Sequence, residues 1–196
     1  MSNLFHTLEY EAFRAGVTPR TKASQAWFRR KVGSLKSTSI DRRSLINNNP
    51  LVKEYTGIVG SMYMYFYDPK HKATLPYYDK FPLSIIVGPA PDGFYGLNLH
   101  YLPLPLRAKF LDELLGVTNN KAYNESTKFK LSYDMLKRAS NMKYFKPCFK
   151  HYLDKHVKSH FAKVQAPEYE IAVFLPTASW VGSTQASIYS DSRSKI

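Results

Sequence analysis

Aromatic and apolar positions alternate with turn residues between residues 61 and 102, and this stretch predicts the centre of the fold. Three runs carry bulky or β-branched residues at strand spacing, and proline or glycine follows the first two. The predicted strands cover residues 62–67, 81–87 and 94–101. We therefore expect a small antiparallel β-meander.

Apolar positions recur every three or four residues on both sides of the meander, which is typical of helices. The predicted helices cover residues 3–15, 24–35, 106–115 and 128–140, and one or two more fall within 145–164. Ser24 is expected to cap the second of them. Residues 36–50 end in three asparagines and a proline, so they predict a loop that carries Arg42 and Arg43.

The C-terminal part of the chain predicts one further strand and a tail. Residues 169–175 are an apolar run followed by Pro176, which indicates a fourth strand. From residue 177 the chain is rich in serine, which predicts a tail that is disordered unless a partner holds it.

The expected fold is α+β, with a meander that curls into an SH3-like partial barrel and basic helices that flank it. Three parts are predicted along the chain. They are a basic N-terminal helical arm (1–54), an α+β core domain (55–176) and a serine-rich C-terminal tail (177–196).

The formal net charge of +13 is concentrated in two segments. Residues 1–54 hold ten Lys and Arg against four Asp and Glu, and residues 121–163 hold eleven against three. Residues 55–120 are balanced at five against five. Such segments favour a polyanionic partner, because each neutralised phosphate releases counterions. A basic surface that is merely solvated is the alternative.

The sequence gives little support for a disulfide-bonded, membrane-spanning or secreted protein. Cys148 is the single cysteine, so an internal disulfide is excluded and a reducing compartment is expected. No apolar run approaches the ~18 residues that cross a bilayer. The N-terminus has acidic residues where a signal peptide needs an apolar stretch. We expect a soluble protein without a membrane partner.

Catalytic and metal-binding patterns are weak. His156 and His160 stand four apart on a predicted helix and could chelate zinc, but histidines in a lysine-rich helix more often join its basic face. Asp68, Asp79 and Asp92 fall in or beside predicted turns, where aspartate bonds the nearby backbone. No phosphate-binding glycine loop or nucleophile elbow occurs. We expect no enzyme activity, catalytic residue, cofactor or metal, and a nuclease is the remaining enzymatic alternative.

The tyrosines of the predicted meander allow two interpretations. They could stack on bases, or they could fill the core and pair across strands, which is commoner. The core interpretation is favoured, and Tyr77 and Tyr78 are expected to be the most exposed. The tyrosines concerned are Tyr63, Tyr65, Tyr67, Tyr77, Tyr78, Tyr95 and Tyr101.

Three stretches resemble a known family. They read YMYFYDPKHKATLPYYDKFPL, GFYGLNLHYLPLPLRAKFLDELL and YFKPCFKHYLDKHVKSHF. They are similar to the DNA end protector family, virion proteins of T-even-type contractile-tailed phages and their marine cyanophage relatives. The similarity spans about residues 60–176. It implies a protein that caps the ends of packaged linear DNA, blocks the host's end-dependent exonuclease and helps to complete the head or head–tail junction.

The resemblance implies double-stranded DNA ends and portal or neck proteins as partners, and it implies no catalytic residue. A purely structural neck or tail component that meets acidic neighbouring subunits is the alternative, and a homo-oligomer stays open. If the protein grips DNA, nine cations are expected to contact phosphates without reading bases. They are Arg29, Arg30, Lys31, Arg42, Arg43, Lys146, Lys150, Lys155 and Lys158.

Overall fold

The computed structural model describes residues 4–48, 51–52, 60–118, 122, 124, 134–136, 138–139, 143–165 and 168–194. The fold is α+β, as predicted. The helices are α1 (Leu4–Arg14), α2 (Lys22–Gly33), α3 (Arg42–Asn48), α4 (Leu104–Thr118), α5 (Tyr169–Phe174) and α6 (Gln185–Ser194). Short 3-10 turns cover Ser37–Ser39, Leu99–Tyr101, Lys143–Cys148 and Asp154–His156. Residues 134–136 and 138–139 are helical, within the segment predicted as a helix.

Eight strands form two sheets. They are β1 (Leu51–Val52), β2 (Met62–Met64), β3 (Tyr78–Asp79), β4 (Leu83–Ala90), β5 (Gly93–Asn98), β6 (Phe149–Leu153), β7 (Phe161–Val164) and β8 (Trp180–Val181). The large sheet is antiparallel in the order β1-β7-β2-β4-β5-β6, and β3 pairs with β8. The predicted meander is confirmed as β2, β4 and β5, which are neighbours at the sheet's centre.

The sheet curls around an aromatic cluster on one face. Tyr65 from the segment after β2 packs its ring 5.4 Å from Tyr152 of β6 and 4.9 Å from Phe161 of β7, measured between centroids. An isolated bridge joins Tyr67 to Val157. The two ends of the sheet therefore approach each other, and among the described residues β1 and β6 remain unpaired edges rather than closing a barrel.

The opposite face of the sheet carries the main hydrophobic core, which α1 to α5 cover. Phe5, Phe28 and Leu45 from the N-terminal helices share this core with Met62 and Leu83 of the sheet. The core interpretation of the tyrosines is confirmed for four of them, since Tyr63, Tyr65, Tyr67 and Tyr101 are buried. Tyr77, Tyr78 and Tyr95 are half-buried.

The helical prediction for residues 145–164 is wrong, because the segment forms two 3-10 turns and the strands β6 and β7. Its aromatic residues favour a pleated surface once a partner strand is available. Tyr152 of β6 stacks on Phe94 of β5 with centroids 5.4 Å apart, and β7 pairs with β1 and β2. Residues 149–153 and 161–163 of the second basic segment are thus part of the sheet, whereas its described residues 134–136 and 138–139 are helical.

The prediction of a strand at 169–175 is also wrong, because this segment is helical. It is the short helix α5, which packs against α2 and α4 and is buried on all its residues. A helix buried on every side shows no polar face, so its periodicity cannot be told from that of a buried strand.

The loop predicted at 36–50 contains α3. One carboxylate oxygen of Asp41 accepts hydrogen bonds from the backbone N–H groups of Arg43 and Ser44, which caps the helix, and Leu45 is buried on its inner side. The residue that caps the N-terminus of α2 is not the predicted Ser24 but lies three residues earlier. Thr21 is the cap, and Ser24 completes a reciprocal capping box with it.

The predicted disordered tail is structured. Its residues form β8 and α6, and Ile188 of α6 is fully buried. The helix predicted at 106–115 is confirmed as α4, which extends beyond that range at both ends, from Leu104 to Thr118. Within the described residues, no helix is long and apolar enough to cross a membrane.

Candidate nucleic-acid interface

A cleft of about 420 Å³ lies between the loop that follows Tyr67 and the edge strand β6. We call it the tyrosine cleft, because five tyrosines line it. They are Tyr67, Tyr77, Tyr78, Tyr101 and Tyr152. Tyr67, Tyr101 and Tyr152 are buried, whereas Tyr77 and Tyr78 are half-buried. Burial raises the pKa of Tyr101 and Tyr152 above the ordinary phenol value, so both rings are neutral at neutral pH.

Two lysines and two histidines also line the tyrosine cleft, together with the buried Asp79 carboxylate. Lys70 and His71 come from the loop, and Lys150 and His151 come from β6. The Lys150 ammonium lies 4.0 Å from the centroid of the Tyr101 ring, which holds its charge against the aromatic wall. The cleft therefore combines aromatic rings with two ammonium groups, and the Asp79 carboxylate lies in its wall.

Exposed lysines also precede and follow β6 along the chain. Lys146 is exposed on the turn before β6, and Lys155 and Lys158 are exposed on the segment after it. Backbone hydrogen bonds fix that segment, because the Lys158 N–H donates to the Phe66 carbonyl at 2.7 Å and the Asp68 N–H donates to the His156 carbonyl at 2.9 Å. Of the nine predicted cations, Lys150 thus lines the cleft, and Lys146, Lys155 and Lys158 lie on the segments that precede and follow β6.

Asp68 lies on the loop, next to the segment that carries Lys155 and Lys158. Its hydrogen bond from the Lys72 ammonium, at 2.9 Å, is the main cause that lowers its pKa, so it is ionised at neutral pH. Both side chains of this pair are more than a third exposed, so it contributes little stability. It offsets one positive charge close to the cleft.

The other predicted cations lie on α2 and α3, away from the cleft. Arg29, Arg30 and Arg43 are exposed, and none of them lines the cleft. Lys31 is paired with Glu11 at 2.6 Å between its ammonium and the carboxylate. α2 packs on α1 and α5, so these side chains belong to the helical side of the molecule.

Arg42 is used inside the protein. Its guanidinium donates to the Thr177 carbonyl at 2.8 Å, the Ala178 carbonyl at 3.0 Å and the Ser37 hydroxyl at 2.7 Å. These bonds tie α3 to the segment before β8. They occupy the guanidinium, which leaves Arg42 poorly placed to contact a phosphate.

A buried chain of three side chains has the connectivity of a catalytic triad. The His100 Nδ1 lies 2.6 Å from the Asp79 carboxylate, and its Nε2 lies 3.0 Å from the Thr177 hydroxyl. Burial lowers the pKa of His100 despite the opposing Asp79 charge. The ring is therefore neutral, with Nδ1–H donating to Asp79 and Nε2 accepting from the Thr177 hydroxyl.

The hydrogen-bonded series Asp79–His100–Thr177 cannot present a nucleophile, because Thr177 and His100 are both fully buried and neither lines the tyrosine cleft. It acts as a structural network. Asp79 also accepts N–H bonds from Phe81 and Ser179, each at 2.9 Å, so it joins the sheet to the C-terminal segment. The sequence pattern predicts only a turn at Asp79 and carries no signal of these partners.

Arg107 is a second buried polar group that the sequence analysis missed. The guanidinium donates to the carbonyls of Leu102, Val173 and His100 and to the Tyr189 hydroxyl, at 2.7 to 3.1 Å. It joins α4 to α5 and α6. Its position within an apolar helix gave no signal of this role.

The zinc hypothesis loses its geometric basis, because His156 ends a 3-10 turn and His160 lies beyond it, so they do not share a helix face. The Nδ1 of His156 lies 2.7 Å from the Asp68 carbonyl. Within the part of the chain that the structure describes, no group of three His, Cys, Asp or Glu residues could hold a metal ion.

The family model of the phage T4 terminal DNA protecting protein matches residues 6–194. The chain belongs to this family. The matched range runs from α1 to the end of α6, so the N-terminal helices and the C-terminal segment are shared by the family, as well as the stretches around residues 60–176. No match was found among curated proteins or solved structures.

Proposed function

We propose that this protein binds the ends of linear double-stranded phage DNA and shields them from exonucleases, without catalysis. The observation that carries the proposal is a tyrosine-lined cleft with Lys150 of β6 in its wall and exposed lysines on the segments before and after β6, in a family named for protecting terminal DNA. A terminus offers both backbone phosphates and an accessible terminal base. The cations and the rings match these two features.

Phosphate contacts by Lys146, Lys150, Lys155 and Lys158 supply the affinity in this proposal. Each phosphate that they neutralise releases counterions, so affinity falls steeply with salt. Contacts of this kind position the protein without reading sequence, which suits a protein that must bind any end.

We further propose that the protein sits at the head–tail junction, helps to complete the head and enters the host cytoplasm with the DNA. The helical side of the molecule fits a portal or neck protein as partner. α1 exposes Tyr10 at 62% and Phe13 at 78%, and the exposed Arg29 and Arg30 lie on the adjacent α2. Aromatic residues and arginine are enriched in protein interfaces. This surface also favours the second candidate, a purely structural neck or tail component.

Two triple variants test the DNA assignment. One replaces Lys146, Lys155 and Lys158 with glutamine, and the matched control replaces the equally exposed Arg29, Arg30 and Arg43. Fluorescence anisotropy across a salt series measures the affinity for a linear duplex. Loss of three phosphate contacts should make the plot of log K against log salt shallower by about 2.7. The control should keep the wild-type slope.

The same proteins are then tested for protection of linear DNA from an end-dependent exonuclease. Wild type and the arginine variant should protect the DNA, and the lysine variant should not. If the arginine variant instead loses binding, the DNA surface is the helical side. If wild type binds no DNA at low salt, the structural neck or tail role is the better account.

A further inference from the structure

The tyrosine cleft has the size and the chemistry of a nucleotide site. Its volume of about 420 Å³ falls in the ~300–1,000 Å³ range of small-molecule sites. The half-buried Tyr77 and Tyr78 offer ring surface on which a planar base can stack. The Tyr77 hydroxyl is held by a hydrogen bond to Asp191 of α6, so the position of this ring is fixed before any ligand binds.

Positive charge is placed where the phosphate of such a nucleotide would lie. Lys70 is exposed on the loop. Lys150, on β6, is held over the ring of Tyr101. Both elements that border the cleft therefore contribute an ammonium group. His71 and His151 are exposed beside them. A base on the rings and a phosphate between the ammonium groups would use both features together.

The cleft is too small for a base pair within a helix. A base can enter it only when it is unstacked and unpaired, and this costs least where the base is already single-stranded. The interior of a duplex offers no such base, whereas a frayed or overhanging end does. Selectivity for ends then follows from the shape of the cleft.

We propose that the tyrosine cleft binds the unpaired terminal nucleotide of a DNA end, with the base stacked on Tyr78 and the phosphate beside Lys70 and Lys150. The proposal rests on the proposed function and adds the reason for its preference for ends. Lysines around β6 provide affinity for any duplex, and the cleft provides the discrimination.

The test uses the full chain and a duplex with a one-nucleotide 2-aminopurine overhang, made with either a 5′ or a 3′ overhang. A covalently closed circular duplex of the same sequence has no ends. Wild type should quench the overhang's fluorescence and bind that duplex about tenfold more tightly than the circle. Tyr78→Ala should lose both effects, and Tyr78→Phe should keep both because it retains the ring.

Affinity for the circle should be the same for all three proteins. Lys70→Gln changes an exposed residue of the cleft and should also weaken overhang binding. This variant tests the proposal if Tyr78→Ala fails to fold. Retained quenching and retained preference in a folded Tyr78→Ala would overturn the proposal.

Equal affinity for overhang and circle in wild type would overturn it too, and the proposed function would then stand only if wild type still shields linear DNA from the end-dependent exonuclease. Free 2-aminopurine deoxynucleoside monophosphate that binds as tightly as the overhang would show a mononucleotide site instead. Failure to bind any of the DNAs would overturn both proposals.

Discussion

Replacing Thr177 with valine tests whether the buried triad-like chain is a structural network. Valine has nearly the shape of threonine but lacks the hydroxyl that donates to the His100 Nε2 at 3.0 Å. Both residues are fully buried, so water cannot replace the lost donor. An unpaired buried acceptor costs about 1–3 kcal/mol.

Thermal unfolding followed by circular dichroism measures the effect. For a chain of this size, 1 kcal/mol lowers Tm by roughly 3 °C, so Thr177→Val should melt about 3–9 °C below wild type. Thr177→Ser is the matched control, because it keeps the hydroxyl and loses one buried methyl group. It should cost about 0.5–1.5 kcal/mol, less than most of the range expected for valine.

The affinity for DNA should stay at the wild-type value in both variants, because Thr177 does not line the tyrosine cleft. A valine variant as stable as wild type would refute the account, since the hydroxyl would then contribute nothing. A valine variant that folds normally but no longer protects DNA would also refute it, because the hydroxyl would then serve function rather than stability.

Two further predictions follow from the same structure. Burial lowers the pKa of His100, so the unfolded chain binds that proton more readily. Stability should fall as the pH drops below ~6.5, and His100→Gln should flatten this loss in pH-dependent melts while the exposed His160→Gln should not. Gly93→Ala places a Cβ 1.9 Å from the Tyr152 carbonyl oxygen, so β6 must shift. Stability should fall by about 1–3 kcal/mol and overhang affinity should drop, whereas Gly88→Ala, with open space around it, should leave both unchanged.

The sequence predicted the elements that have one exposed face. α1, α2 and α4 show helical periodicity, and β4 is bounded by turn residues, so local pattern and tertiary position agree there. α5 is buried on every side and shows no such contrast. β6 and β7 carry apolar residues every third or fourth position, and only pairing with β5 and β2 across the chain decides their state.

Only part of the candidate site could likewise be predicted from the sequence. Charge counts along the chain found the lysines around β6, because charge is a property of composition. The tyrosine cleft needs the loop at residues 67–78 to meet a strand at 149–153, and the buried network joins Asp79 to Thr177. No local signal reports contacts over such separations, although the Asp41 cap of α3 was visible in the sequence and was missed.

Lys150, Lys155 and Lys158 lie on and just after an edge strand instead of on the expected helix, and this changes how the protein would contact DNA. A lysine on an edge strand also discourages pairing with other strands, so Lys150 on β6 could serve solubility alone. Lys155 and Lys158 argue for more than this, because they lie beyond β6 on a segment fixed by the Lys158–Phe66 hydrogen bond and the Tyr67–Val157 bridge. Cations held by a rigid backbone lose less conformational entropy on binding than those on a mobile arm. The structure thus favours a preformed surface beside the cleft, rather than an arm that wraps around the duplex.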